Sequence, residues 1–198
     1  SGMVCHEFKC GIGSASRLVS VDKRAYTVGA LVQANYGLRD SLRIAGVPVG
    51  QHLRNDRVYS EDMPKPADTG SIIIVLATDA PLLPHQLKRI AKRATMGLAR
   101  MGSYAGNGSG DIFLAFSTAK PADKDGAPST AEFIGNERID PLFEASVQAT
   151  EEAIVNAMVA ARDVLDGIDG NYAKAIEHRA LIDLLKQHQR YQKPTGTK

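Results

Sequence analysis

The stretch Gly70-Ser71-Ile72-Ile73-Ile74-Val75-Leu76 decides the fold. A long polar segment, 50–70, ends abruptly and a β-branched apolar run begins. Such a run reads as a strand buried on both faces, and a strand of that kind needs a layer on either side. Upstream, residues 16–21 and 26–34 alternate as strands, with Val28, Ala30, Val32 and Ala34 on one face of the second. Asn35-Tyr36-Gly37 ends that strand at a turn, and a short hairpin is expected from 42–44 and 47–49 across Ala45-Gly46. The irregular segment 50–70 is long enough to be functional or disordered. Downstream, Pro84 opens a helix at a position where its missing N–H costs nothing. Leu87, Ile90, Ala91, Ala94, Leu98 and Met101 form that helix's apolar stripe, and Gly102 suits its C-terminal end.

A glycine-rich turn at 106–110, a strand over 111–117 and a loop at 119–131 come next. The spacing of Ile154, Ala157, Met158, Ala161 and Leu165 predicts a helix over about 140–165. A last helix over about 174–188 precedes a polar tail expected to be disordered. Strands buried on both faces, with helices available to cover them, predict a layered α/β sandwich in a single domain, 1–198.

The chain has 198 residues, 43% hydrophobic and 23% charged, enough for one sizeable core. Its formal charge of +2 gives no reason to expect nucleic acid or an anionic membrane as partner. Lys88, Arg89, Lys92 and Arg93 fall at helical spacing and read as a solvated face. No run approaches the 18–20 apolar residues that span a bilayer, so no membrane segment is expected. Cys5 and Cys10 are too few for a disulfide framework and read as small apolar residues. Val4-Cys5-His6-Glu7-Phe8-Lys9 lacks signal-peptide architecture, and the cytoplasm is the default compartment.

The chemistry-bearing residues admit two readings each. A serine opening a strand is commonly a turn residue. Yet if the Gly70 carbonyl is held under strain, the Ser71 hydroxyl can attack it in an N-to-O acyl shift, and water can hydrolyse the resulting ester. Glycine suits that position because it adds no bulk beside the attacked carbonyl. Cleavage would give Ser71 a free α-amine, whose reference pKa of about 7.7–8.0 fits a base near neutral pH. In an extended segment Ser109 and Asp111 lie on one side, so a hydroxyl and a carboxylate can handle a proton together. Equally, both can satisfy local backbone N–H groups. The Asn35 amide can donate to an oxyanion or simply end a strand.

The runs 11–17 and 32–37, Gly70-Ser71-Ile72-Ile73, 77–87, Asn107-Gly108-Ser109-Gly110-Asp111 with 112–117, and Glu151-Glu152-Ala153-Ile154 together resemble the DmpA-type aminopeptidases. These L-aminopeptidase/D-amidase-esterases include the β-peptidyl aminopeptidases, and the similarity runs in order from residue 4 to about 165. The resemblance implies self-cleavage at Gly70–Ser71 into 1–70 and 71–198, which stay associated. It implies Ser71 as N-terminal nucleophile, Ser109 and Asp111 as its polar partners, and Asn35 in the oxyanion hole. A four-layer αββα sandwich, related to the N-terminal nucleophile hydrolases and wired differently, is the implied fold.

Homo-oligomers of processed heterodimers, acting on short peptides, amides or esters without metal or cofactor, are implied as well. Family chains are longer on the N-terminal side, so this chain is expected to lack strands of the sandwich and part of the pocket. Asp111 stands where some β-peptidyl members carry glutamate. Two alternatives stay open: an acyltransferase related to the ornithine acetyltransferases, which use threonine where this chain has Ser71, and a non-catalytic fragment. Other motifs fail. His6-Glu7-Phe8-Lys9-Cys10 lacks the second histidine of a zinc helix, and no Gly-Lys-Ser/Thr follows the turn at 106–110.

Overall fold

A computed structural model describes residues 2–55, 70–120, 131–164 and 172–193. The chain opens with a small hairpin, β1 (Val4–Cys5) against β2 (Phe8–Lys9). A second, longer hairpin follows, β3 (Ile12–Val21) with β4 (Arg24–Asn35). Its two-residue connection, Asp22-Lys23, takes positive φ at both positions, 49° and 69°, which matches the twist of the flanking strands. β4 then pairs antiparallel with β5 (Ser71–Thr78), and β5 pairs parallel with β6 (Ile112–Ser117). The sheet order is β3-β4-β5-β6. A parallel pair cannot be joined by a tight turn, and here the crossover passes through α2 (Pro84–Arg100).

Helix α2 and α3 (Asp140–Val159) pack side by side on one face of this sheet. Val28, Ala30, Val32, Ala34, Ile72, Ile74 and Leu76 point into that layer and meet Ile90, Ala94, Leu98, Ile154 and Ala157, all buried. Where α3 crosses β3, a Cβ on Gly13 would lie 2.1 Å from the Ala153 carbonyl oxygen, so the helix rests directly on the strand backbone. The N–H of Leu83 donates to Gln86 Oε1 at 3.0 Å, and Gln86 Nε2 in turn donates to the Ile134 carbonyl at 2.7 Å. This ties the start of α2 to the segment that leads into α3.

The opposite face of the sheet is also apolar but is open among the described residues. Ile12, Leu18, Leu31, Ile73, Ile112, Leu114 and Phe116 lie on it, between 38% and 75% exposed. The expectation that the 71–76 run is covered on both faces is therefore met on one side only. The run lacks polar residues because both faces are built for burial, yet the described residues supply a single helical layer.

Other expectations are refined. Helix α3 stops at Val159, short of 165, and Leu165 lies outside the described residues. The last helix is α4 (His178–Gln187), started by Glu177, whose carboxylate accepts the N–H groups of Arg179 and Ala180. Ala45 and Gly46 do form a turn, closing an Ile44–Val47 bridge, but Val49 enters the short helix α1 (Val49–His52) rather than a strand. Of the segment 50–70, residues 56–69 lie outside the described residues, as do 121–130 of the 119–131 loop and the tail 194–198. The basic face of α2 is divided. Lys88 and Lys92 are exposed, whereas the guanidinium groups of Arg89 and Arg93 lie over the Phe143 ring at 5.0 and 3.8 Å.

One expectation is overturned. Cys5 and Cys10 form a disulfide, with their Cα atoms 5.3 Å apart. The β1–β2 hairpin folds the chain back on itself and brings Cys10 beside Cys5, which a count of cysteines could not anticipate. His6 and Glu7 form the hairpin turn at φ 48° and 63°, so this segment is no helix.

Candidate active site at the end of the sheet

Three neighbouring strands deliver the candidate residues to one end of the sheet. Asn35 closes β4 and Ser71 opens β5, and the two are directly paired in the antiparallel register. Because β6 runs parallel to β5 with Ile112 opposite Ile73, residues 110 and 111 arrive beside Ser71 and Ile72. Strand alternation directs Ser71 to the open face, along with Ile73, while Ile72 and Ile74 point into the core.

Each candidate is held by a backbone contact. The Gly110 N–H donates to Ser71 Oγ at 3.0 Å. The Ile72 N–H donates to Asp111 Oδ1 at 3.0 Å, fixing the carboxylate next to the residue that follows the serine. The Val4 N–H donates to Asn35 Oδ1 at 2.9 Å. An amide whose oxygen is engaged in this way turns its NH₂ end outward as a donor. Gly70, immediately before Ser71, lies against the chain at the end of β4. A Cβ there would stand 2.5 Å from the Asn35 carbonyl oxygen and 2.6 Å from Tyr36 Cα. No residue but glycine fits the Gly70–Ser71 peptide in this place.

Ser109 ends the glycine-rich turn, its N–H donating to the Gly106 carbonyl at 2.8 Å. Together with Asp111, Met96, Tyr104 and Phe113 it lines a groove of about 470 Å³ beside α2. The structure therefore brings Asn35, Ser71 and Asp111 to one strand end, with Ser109 and Asp111 on a shared wall. The contact joining the turn to Ser71 is the Gly110 N–H between those two residues. Sequence reasoning did not single out Gly110; the parallel pairing of β5 with β6, which brings it there, has no local signature.

Arg39 was also missed. It is wholly buried, and its guanidinium donates to the carbonyls of His6 and Glu7 (both 2.9 Å), Leu53 (2.7 Å) and Asn55 (3.0 Å). It also lies 3.4 Å over the Phe8 ring. Lys9 Nζ donates to the carbonyls of Met3 (3.1 Å) and Cys10, and burial holds its ammonium below the ordinary lysine pKa. Among the described residues no cluster of three or more His, Cys, Asp or Glu is placed to hold a metal, and no helix is long and apolar enough to cross a membrane.

Comparison with known proteins places the chain in a family. Residues 1–173 match the model of Peptidase family S58. A beta-peptidyl aminopeptidase of Sphingosinicella microcystinivorans is 47% identical over 96% of this chain and 50% of its own length. One from Sphingosinicella xenopeptidilytica is 44% identical over 94% and 48%.

Among solved structures, the L-aminopeptidase D-Ala-esterase/amidase of Ochrobactrum anthropi superposes with a TM-score of 0.84 at 48% identity. It covers 96% of this chain and 52% of its own. That protein is described as a prototype of the serine aminopeptidases and a variant of the Ntn hydrolase fold. A Burkholderia beta-aminopeptidase gives a TM-score of 0.79 at 47% identity, covering 98% and 53%. This chain thus spans about half the length of these relatives. Its sheet and helices form part of an α/β fold of the Ntn hydrolase kind. In motif order, strand topology and matched length, the chain belongs to Peptidase family S58.

Proposed function

We propose that this chain carries the nucleophile of a self-cleaving serine aminopeptidase, which releases N-terminal residues from short peptides, amides or esters. The observation that carries the proposal is the convergence of Asn35, Ser71 and the 110–111 turn on one strand end, with a glycine-only peptide bond preceding the serine.

In the first reaction Ser71 Oγ attacks the carbonyl carbon of Gly70. The O–C bond forms, the C–N bond breaks, and the nitrogen takes up the hydroxyl proton as it becomes the α-amine of Ser71. Water then hydrolyses the ester, leaving a Gly70 carboxylate and a free Ser71 hydroxyl, with one water added overall. The same hydroxyl next attacks a substrate carbonyl. The substrate's amine or alcohol departs with a proton, and water resolves the acyl-enzyme.

The new α-amine serves as the base. The Gly110 N–H holds a lone pair of Oγ, which leaves the hydroxyl hydrogen free to point to that base. Asn35 Nδ2 donates to the developing oxyanion in both reactions, and a preorganised donor of this kind is worth roughly 2.7–4 kcal/mol. Asp111, anchored on Ile72 N–H, and Ser109 on the same wall form the proton-handling side.

The two products, 1–70 and 71–198, remain associated because β4 and β5 lie on either side of the cut and are paired along all of β5. Homo-oligomers of such processed pairs complete the proposal. An acyltransferase reaction is not favoured, since the relatives are peptidases and the nucleophile position holds serine. The test is release of p-nitroaniline from a panel of amino-acid anilides. Turnover by the wild type and none by Ser71→Ala is expected; equal turnover by both removes Ser71 from the mechanism.

A further inference from the structure

The Cys5–Cys10 disulfide lies in a hairpin that touches the candidate oxyanion donor from outside the four-stranded sheet. Its hairpin clasps the end of β4 at three successive residues. The Ala34 N–H donates to the Gly11 carbonyl at 2.9 Å, the Val4 N–H donates to Asn35 Oδ1 at 2.9 Å, and the His6 N–H donates to the Tyr36 carbonyl at 2.8 Å. The hairpin is in turn immobilised internally. The Cys10 N–H donates to the Met3 carbonyl at 3.0 Å, and Lys9 Nζ spans the carbonyls of Met3 and Cys10. Arg39 holds the His6 and Glu7 carbonyls from below.

The cross-link closes this loop of a few residues and carries two residue pairs of β-structure only, too few to stand alone. Both sulfur-bearing residues are buried, so the bridge is part of the packed end of the sheet. A carboxamide can rotate about its terminal torsion, whose preference is broad. The Val4 N–H selects the orientation with Oδ1 inward and Nδ2 outward, and the position of Val4 depends on the closed hairpin.

We propose that the disulfide-closed hairpin is a positioning element for the reaction, which holds the Asn35 carboxamide with its NH₂ directed to the oxyanion through the Val4 N–H, so that turnover depends on the oxidation state of Cys5 and Cys10. The inference rests on Asn35 acting as the donor, as proposed above. A water-soluble phosphine supplies the reduction: it gives two electrons to the S–S bond and is oxidised to the phosphine oxide with oxygen from water, whose two protons leave the sulfurs as two thiols.

The experiment follows anilide turnover by the processed protein before and after phosphine treatment, with thiol alkylation and mass spectrometry to count free cysteines. Cys5→Ser/Cys10→Ser is measured in parallel, and both openings are repeated in an Asn35→Ala background. Because a misplacement of about 1 Å costs on the order of 100-fold, opening the bridge is expected to lower kcat about 10- to 100-fold with KM little changed. In Asn35→Ala, already slow, opening the bridge should add nothing, since both changes remove one interaction.

Four results overturn the inference. Two alkylatable thiols in the untreated protein mean the bridge does not exist. A reduced protein that loses its circular dichroism assigns the bridge to folding instead. Losses that multiply in the Asn35→Ala background mean the hairpin acts elsewhere, while leaving the role of Asn35 intact. Full kcat in Asn35→Ala alone removes the donor itself, and with it this part of the proposed mechanism.

Discussion

Replacing Gly70 with alanine puts a methyl carbon 2.5 Å from the Asn35 carbonyl oxygen and 2.6 Å from Tyr36 Cα. Both are backbone atoms at the end of β4, so neither can swing aside as a side-chain tip would. Asn35 is paired with Ser71 and Tyr36 accepts a bond from His6, which fixes that stretch from two sides. To reach ordinary contact the Gly70 peptide must retreat by about 1 Å, and displacements of that size slow positioned reactions about 100-fold. The accompanying overpacking cost is about 1–3 kcal/mol, tolerable for folding.

The assay is a pulse of cell-free synthesis followed by intact-mass analysis over time, which compares precursor decay in wild type and Gly70→Ala. Gly110→Ala is the control, because its Cβ would meet Ser71 Oγ at an ordinary 3.4 Å. Its cleavage rate is expected to change only about two-fold, in keeping with a change of about 0.5 kcal/mol. A Gly70→Ala precursor that is cut as fast as wild type would refute the reasoning, since the scissile carbonyl would then not be set by its seat against Asn35.

Other perturbations test separate parts of the structure. Asn35→Ala should lower kcat by about 10²–10³ in anilide turnover, the loss of one oxyanion donor. Ile74→Ala, at a side chain with 0% exposure beneath the site, should cost about 2–5 kcal/mol by urea denaturation. Arg39→Met should cost about 3 kcal/mol or more in the same assay, since it strands the carbonyls of His6, Glu7, Leu53 and Asn55.

The Glu177 carboxylate is held below its usual pKa of 4.5 by the N–H groups of Ala180 and Arg179. A depressed folded pKa means its contribution to α4 is full above the unfolded value and disappears as pH falls through the lowered one. Protection of the 179–182 amides, taken relative to the intrinsic exchange rate at each pH, should therefore fall on acidification from pH 5 in wild type, and show no such step in Glu177→Gln.

The strands and the α2 helix were legible because each carries its own period: alternation in 26–34, a 3.6-residue stripe in 84–101, and Pro84 and Gly102 at the helix ends. The end of α3 was not, because Ala161 and Leu165 continue the apolar spacing past Val159, where the helix stops. The 71–76 run could be read as a strand from composition, but its burial on both faces is met on one side only: among the described residues the other side is open, with Ile73 38% exposed.

At the site, Asn35, Ser71 and Asp111 could be named from residue type and resemblance. What holds them could not. Gly110 meets Ser71 through the parallel register of two strands 34 residues apart from end of one to start of the next, and Val4 reaches Asn35 across 31 residues. Contacts made by backbone N–H groups leave no mark in side-chain patterns. The disulfide was missed for a related reason: pairing depends on a hairpin too short to show alternation.

The central claim is that Ser71 is the nucleophile that cuts its own chain. Intact-mass spectrometry of the purified protein, beside Ser71→Ala, tests it most directly. Two species are predicted for the wild type, one beginning at Ser71, with masses that add to the precursor plus one water, and a single uncut precursor for Ser71→Ala. A wild-type chain that stays whole, or a Ser71→Ala chain that is cut at the same bond, would contradict it.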